Sequence, residues 1–432
     1  MTAELRMLQE QFERFQTDML AAAPLETVAA CRVGWWRDSD NQLHLLWREA
    51  TIAEDADYVR RSPGGAVVRP TFHAPVIKSC RSRSEGFLLS HTHPFSTTPG
   101  FSGIDDGGED ELIPKVQARV PGVPHGGFVL GTSGGSVRVW TPDKSEVLPV
   151  VIRLLGRVES RDTTATMYAR QDLALGPGTA AALGANHVAI VGTGGLGWQI
   201  AIGLWRHGVG RITLIDPDRI EETNLSRLPG ARASDIGRPK VDVLAGLLRA
   251  MRGDGVLDRV PAAFASPIAR AHVAAADLVI GGTDTLSSRL DLDRFSRRLL
   301  VPYVDTGINV AVRDGRIERI GGRVTVSWPL GPCLSCMGVL TPDALAIEAE
   351  PLGYRGRARA EEAAVLGYNM VVAGLAVVEA LELFVPHRPN ARSSRYLVYD
   401  GLRGVTREIA VGAAGRCGTC GDLAGAVSGQ LP

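Results

Sequence analysis

The sequence predicts an α/β protein in two parts, the larger of them a doubly wound sheet of parallel strands, and three observations carry that prediction. Val188 to Val191 is a short apolar run with no alternation, as expected of a parallel strand buried on both faces. It leads directly into Gly192, Gly194, Gly195 and Gly197, and then into a segment with helical spacing (Leu196, Ile200, Ile202, Leu204) that stops at Gly208. Two more apolar runs follow, Arg211 to Ile215 and Asp277 to Ile280, with Asp216 and Asp284 just past their ends.

Strand, glycine turn and helix start together make an anion site, because unpaired backbone N–H groups and the positive end of the helix dipole point at whatever sits on the turn. A nucleotide phosphate is the expected occupant. Asp216 follows at about the distance along the chain where a carboxylate reaches ribose hydroxyls. Asn224, Arg227 and Lys240 come next, polar groups that suit a triphosphate, whose charge needs several cations and donors around it. Asp284 lies where ligands bind in open α/β sheets, beyond the carboxyl end of a strand. Its competing reading is an N-cap for the helix containing Ser288 and Leu290.

The stretch GTGGLG, Asp216, Asn224-Leu225-Ser226-Arg227 and Lys240 resembles the ubiquitin-activating-enzyme-like (ThiF/MoeB-type) adenylyltransferases, through several separate motifs in the back half of the chain. The resemblance implies a Rossmann-like adenylation domain that uses ATP and magnesium, with Asp284 on the metal and Arg289 and Asp305 as lesser candidates. Tyr168-Ala169-Arg170-Gln171 is similar to the family's opening YxRQ, which implies that Arg170 enters the neighbouring subunit of a homodimer. Arg170, Arg227, Lys240 and Asp284 would share the catalytic work. The implied partner is a small ubiquitin-like or sulfur-carrier protein ending in Gly-Gly, with a downstream conjugating protein as a further partner. Between Cys336 and Cys417 there is no cysteine, although many relatives place an acyl-accepting thiol in the loop from Met337 to Leu366. The expected chemistry therefore stops at the acyl adenylate or passes it to an outside nucleophile.

At 432 residues two domains are the natural division, placed at 1–155 and 156–432 with a charged linker over 144–166. Lys plus Arg and Asp plus Glu are 47 each, so no net field draws in nucleic acid or acidic lipid. Leu5, Leu8, Phe12, Phe15 and Met19 form a helical stripe rather than a signal-peptide core. The longest apolar run, Met370 to Leu381, is broken by Glu379, and a soluble, cytoplasmic protein is expected. Four of the six cysteines form two CxxC pairs, Cys333/Cys336 and Cys417/Cys420, a pattern for a closed, structural zinc. Cys31 and Cys80 are expected as small buried apolar side chains.

In the front part, Phe87 to Asp105 reads FLLSHTHPFSTTPGFSGID. A short strand delivers His91 and His93 on the same side of extended backbone, and Ser102 and Asp105 follow across a loop. Two imidazoles and one carboxylate leave a fourth position for water, as in catalytic zinc sites. HTHP followed by SxxD resembles the JAMM/MPN zinc metalloproteases, which cut isopeptide or peptide bonds after ubiquitin and its relatives, and implies a smaller α+β domain. That family also uses an upstream Glu as general base: Glu26 fits the context best, with Glu49 and Glu54 as alternatives. Ser102 would help hold the developing oxyanion. Gly126 to Trp140 reads as a closing hairpin.

Three other readings stay open on the sequence: sulfur-carrier activation for cofactor or amino-acid biosynthesis, a nicotinamide-dependent oxidoreductase on the glycine turn, and an inactive scaffold.

Overall fold

The computed structural model describes residues 3–141, 146–155, 166–313, 315–349, 364–412, 417–421, 425 and 427–430. Contacts divide the chain into two units, Met1–Leu155 with Ala424–Pro432, and Gly156–Leu423.

In the front unit, β1 (Ala3–Leu8) passes without a loop into α1 (Gln9–Leu20). Leu5 and Leu8 therefore belong to a strand, and the helical stripe begins only at Phe12. The cause is tertiary: β1 lies between β3 (Leu43–Ile52) and β9 (Val147–Leu155), parallel to both, and pairing on two edges overrides the local helical spacing. Between them in sequence come β2 (Val28–Arg37), the hairpin β4 (Tyr58–Ser62) and β5 (Gly65–Val68), α2 (Pro70–Arg83), β6 (Gly86–Thr92), α3 (Gly103–Arg119), β7 (His125–Leu130) and β8 (Gly135–Trp140). The pairings run β2-β3-β1-β9-β8-β7-β6, and β6 returns to β2, closing a ring. One face of the sheet packs on Phe12, Phe15 and Met19 of α1. The other packs on Phe72, Val76 and Ile77 of α2 and Val116 of α3.

Two expectations change here. The hairpin over Gly126–Trp140 forms, but β9 follows it and pairs with β8 and β1, so Val147–Leu155 is sheet rather than linker. Residues 156–165 of the expected linker lie outside the described residues. The strand Ser428–Gln430 pairs with Trp35–Arg37 of β2, so the last residues belong with the front unit instead of the back one.

The back unit opens with α4 (Ala169–Leu175) and α5 (Thr179–Gly184), then alternates β10 (His187–Val191), α6 (Gly195–His207), β11 (Arg211–Ile215), α7 (Lys240–Met251), β12 (Val256–Val260), α8 (Pro267–Ala274), β13 (Leu278–Gly281), α9 (Leu286–Arg298) and β14 (Tyr303–Arg313). The parallel order is β12-β11-β10-β13-β14. The chain thus leaves β10 first to one side and then to the other, and a crevice opens at the carboxyl end of β10 where the direction reverses. β15 (Arg316–Ser327) extends the sheet antiparallel; α10 (Pro342–Ala349) and α11 (Leu366–Phe384) follow, then β16 (Arg395–Asp400) and β17 (Val405–Ile409). Part of the expected loop from Met337 to Leu366 is α10, and its residues 350–363 lie outside the described residues.

α11 as a whole is long and apolar enough to cross a membrane by length and composition, although the sequence run within it looked too short. One face of it is packed inside, where Val372, Ala373, Ala376 and Val377 are buried and Glu379 is 3% exposed and paired with Arg388 and Arg395, while Met370, Val371 and Val378 are exposed. A Cβ on Gly195 would meet Asn369, and one on Gly203 would meet Val377. Both steps are eight residues in the same direction, so α6 and α11 run parallel with their N-termini together.

Candidate functional site

The turn after β10 is shaped by two close approaches. Gly192 has φ +91°, and a Cβ there would lie 2.7 Å from Gly282 O, in the turn after β13. A Cβ on Gly197 would lie 1.9 Å from Gly192 O. Only glycine lets the start of α6 lie this near the turn and the neighbouring strand. Gly194, in contrast, has nothing within 4 Å of where a Cβ would stand, and it opens into free space at the helix start.

Asp216, 4% exposed, ties this turn to the end of β11: Oδ2 accepts from Thr193 N at 2.6 Å and Thr193 Oγ1 at 3.0 Å, while Oδ1 accepts from Asp218 N at 2.8 Å. The segment after β11 then pairs back on the approach to α7 through Ile220 N to Arg238 O and Lys240 N to Asp218 O. That pairing returns Lys240 to the crevice, where its Nζ lies 2.8 Å from Asp218 Oδ2. Arg227 ends a 3-10 turn (Glu222–Arg227), donates from Nη1 to Thr223 O, and has its Cδ beside Gly195. Asn224, on the same turn, is 5% exposed, and its side chain makes long contacts of 3.4 Å to Glu221 N and Thr223 Oγ1.

Asp284 is exposed, two residues beyond the Gly282 that packs on the glycine turn. It is not the cap of α9: Thr285 is, accepting from Ser288 N. Arg289 and Asp305 are used elsewhere. Asp305 is fully buried between Arg289, Arg323 and the Tyr303 hydroxyl, and Arg289 also binds Thr306 O and Thr283 O. This network ties α9 to β14 and to the turn after β13.

Arg170 is not brought to this site. Gln171 exchanges hydrogen bonds with His207, and the Tyr168 hydroxyl accepts from Arg252, which anchors α4 at the far end of α6. α6 runs thirteen residues from Gly195 to that end, about 18 Å. Arg170 itself is exposed, as are Met167 (57%) and Leu173 (87%) around it.

Two further clusters could hold metal ions. The Sγ atoms of Cys333, Cys336, Cys417 and Cys420 stand 3.6 Å (Cys333–Cys336), 3.7 Å (Cys333–Cys417) and 3.6 Å (Cys336–Cys420) apart. Four sulfurs about 2.3 Å from a tetrahedral zinc would be about 3.8 Å apart, and a disulfide needs about 2.0 Å. Behind them, the fully buried Asp293 accepts from Leu334 N at 2.9 Å and fixes the first knuckle.

In the front unit, His91, His93 and Asp105 converge. His91 Nε2 lies 3.2 Å from His93 Nε2 and 2.9 Å from Asp105 Oδ1, and His93 Nε2 lies 3.8 Å from Asp105 Oδ2. Burial works to raise the Asp105 carboxyl, but hydrogen bonds from the His91 ring and Ser102 N outweigh it and hold the group well below the carboxylate range. Burial, with His91 adding to it, lowers His93. These shifts favour an ionised Asp105 and a neutral His93, the forms that bind a metal. Ser102 caps α3, its Oγ accepting from Asp105 N. Glu26 is 8% exposed; burial raises its carboxyl, with the charge of His91 opposing and that of Asp105 adding, so it lies near the cluster. Glu49 is instead engaged by Arg32 at 2.7 Å, and Glu54 lies at the start of a short 3-10 turn. Cys31 and Cys80 are both fully buried, and burial pushes the Cys80 thiol up to about 12.

Asn369, Thr193 and Asp218 also border the crevice, though the sequence did not single them out. Thr193 could have been noticed inside the glycine motif. Asn369 carries no local signal, since it lies on a helix nearly two hundred residues away.

A glycine turn at the switch point of a doubly wound sheet, with a buried acid, a lysine and an arginine around it, is an arrangement of the α/β class that could hold a nucleotide phosphate. The chain belongs to the ThiF family, whose description matches residues 168–419, and this region is a ThiF-type adenylyltransferase domain. It is 29% identical over 237 residues to the sulfur carrier protein adenylyltransferase of Thermus thermophilus, covering 54% of this chain and 82% of that one. It is 27% identical over 252 residues to the SAMP-activating enzyme E1 of Haloferax volcanii, covering 57% and 85%. The chain spans only 52% of the adenylyltransferase and sulfurtransferase MOCS3 of Dictyostelium discoideum, at 25% identity over 55% of this chain. Among solved structures, Escherichia coli MccB with MccA-N7isoASN matches with a TM-score of 0.50 at 19% identity, over 61% of this chain and 77% of that one, a likeness of fold.

Proposed function

We propose that the back unit adenylates the C-terminal carboxylate of a small ubiquitin-like or sulfur-carrier protein, and that the front unit is a zinc peptidase acting on the same partner. The observation that carries the first part is the crevice itself, where the glycine turn, Asp216, Arg227 and Lys240 meet in a chain of the ThiF family. The activities named for the Thermus and Haloferax relatives support the choice of substrate.

In the reaction, a carboxylate oxygen of the partner attacks the α-phosphorus of ATP. The bond from that phosphorus to the bridging oxygen breaks, and pyrophosphate leaves with the electron pair. Such a displacement needs alignment and charge neutralisation more than covalent participation by the protein. Asp216 would orient the ribose, and α6 would offer its N-terminal N–H groups to phosphate. Lys240 would exchange the exposed Asp218 for phosphate oxygens, and Arg227 would close over the turn. Asp284 would hold the magnesium that accompanies ATP, and the four cysteines a structural zinc. Arg170 is exposed at the far end of α6 from its own chain's crevice, and the exposed Met167 and Leu173 beside it fit cover by a second copy, so a homodimer with Arg170 acting in trans is part of the reading. With no cysteine between Cys336 and Cys417, the acyl adenylate is the product handed on, to a conjugating protein or to sulfur transfer.

In the front unit, His91, His93 and Asp105 would hold a zinc ion, which supplies Lewis acidity and a nucleophilic water near neutral pH. Glu26 would take the proton from that water, and the Ser102 hydroxyl would donate to the developing oxyanion. The test of the whole reading is ATP–pyrophosphate exchange dependent on a carrier ending in Gly-Gly. The exchange should vanish in Asp284→Ala, and an unchanged rate in that variant would remove the reading.

A further inference from the structure

The segment that presents Ser102 and Asp105 is gripped by one guanidinium. Arg138, on β8, has its Cζ 3.8 Å from the ring centroid of Phe101, the residue before Ser102, and its Nη2 2.7 Å from Oδ1 of Asp106, the residue after Asp105. Its Nε donates at 2.9 Å to Glu109 Oε2, a carboxylate 6% exposed that also accepts from Trp140 Nε1 at 3.3 Å. Glu109 lies one helical turn beyond Asp105, so the capping box is held at both ends and from the turn behind it. Inside the box, Asp105 Oδ2 accepts from Ser102 N at 2.6 Å, while Oδ1 lies 2.9 Å from His91 Nε2.

The two histidines are referred to the same pair of strands. His91 is in register with Val129 of β7, and His93 N donates to Leu130 O at 2.7 Å. Ser136 Oγ of β8 donates to Pro99 O in the loop between the histidines and Ser102. A Cβ on Gly127 of β7 would lie 2.8 Å from Phe101 Cε1 and 2.1 Å from Glu109 Oε1, so ring and acid rest directly on the strand. The imidazoles and the carboxylate thus share β7 and β8 as a common support, and Arg138 is the tie on the carboxylate side.

We infer that Arg138 is a positioning residue of the front metal centre, holding Asp105 against His91 and His93 in the arrangement that can take a zinc ion. The inference rests on the zinc reading above and extends it to a side chain outside the three ligands. Arginine suits the place because its flat group can stack on Phe101 by one face while its edge reaches both Asp106 and Glu109. A lysine ammonium, a point charge, cannot keep all three contacts.

The experiment is competition for Zn2+ between the full chain and a chelator, with the His91→Ala chain giving the share held by the four cysteines. Loss of groups that orient metal ligands typically costs 10–100-fold in metal affinity, so Arg138→Ala should weaken the His91-dependent site about tenfold or more. Arg138→Lys should fall between that variant and wild type. Asp106→Asn, which cuts one tie at a carboxylate 58% exposed, should weaken the site by a smaller factor. The zinc held by the cysteines should be unaffected in all three. A His91-dependent affinity within twofold of wild type in folded Arg138→Ala would overturn the inference and leave the zinc reading in place, even if the melting temperature falls, since that result assigns Arg138 to the fold alone. A wild-type chain with no His91-dependent zinc would overturn both. If Arg138→Ala does not fold, Arg138→Gln takes its place with the same criterion.

Discussion

Replacing Gly197 by alanine tests the geometry of the glycine turn more severely than any change of a charged group. The added Cβ would sit 1.9 Å from Gly192 O and 3.3 Å from Ile190 Cγ2. The first contact is about 1.5 Å short of ordinary van der Waals distance, and its partner is backbone, so α6 must move off β10. Overpacking of this kind costs about 1–3 kcal/mol. Displacing the helix start by about 1 Å from a bound phosphate costs about a hundredfold in rate. Gly194→Ala is the matched control. Nothing lies within 4 Å of its Cβ, and φ is −73°, so stability should change by less than about 0.5 kcal/mol. Its methyl enters the open space assigned to phosphate, so ATP affinity should still fall. Calorimetric melting and ATP–pyrophosphate exchange on the two variants give the answer. A Gly197→Ala protein with wild-type melting temperature and exchange rate would refute the argument.

Lys240→Met should leave the melting temperature near wild type, because the Asp218 it leaves behind is 64% exposed, and lower pyrophosphate exchange by about 10²–10³-fold; parallel loss of both would assign Lys240 to the fold instead. Metal analysis should find two zinc ions per chain, one lost in His91→Ala and the other in Cys417→Ala, with only the latter lowering the melting temperature of the back unit. Glu26→Gln should keep its zinc and lose carrier cleavage by about 10²–10⁴-fold; retained cleavage would send the search for a base elsewhere. Stability should also fall in acid. Burial lowers His125 and His187 to about 4, Val120 O opposing in the first case and Arg211 adding in the second. His125 Nδ1 accepts from Phe87 N, a bond that protonation destroys. The unfolded chain binds these protons first, so the stability each neutral ring contributes is present above about pH 6.5 and is lost towards pH 4, by about 3 kcal/mol per group. Urea midpoints that do not change over that interval would contradict the assignment.

The back unit was legible because its signals are local. A buried run, a glycine turn and a helix capped by Gly208 each follow from neighbours in sequence, and the strand after them ends just before Asp216 in the structure as in the pattern. What sequence could not supply depends on long-range packing. Leu5 and Leu8 have helical spacing with Phe12, yet they form a strand because β3 and β9 flank them. Asn369 carries no motif, and only the parallel seating of α11 on α6 reveals it. Arg289 and Asp305 entered only as lesser candidates, and their burial against each other is a contact that the sequence does not show. The separation of Arg170 from the turn is also a matter of tertiary placement, set by the docking of Gln171 on His207.

The most direct measurement is the intact mass of a small carrier protein ending in Gly-Gly after incubation with this chain, ATP and magnesium. The account predicts a carrier species heavier by one adenylyl group, formed by the wild-type chain and absent with Asp216→Ala. A carrier of unchanged mass, with NADH rather than ATP bound tightly by the chain, would contradict it.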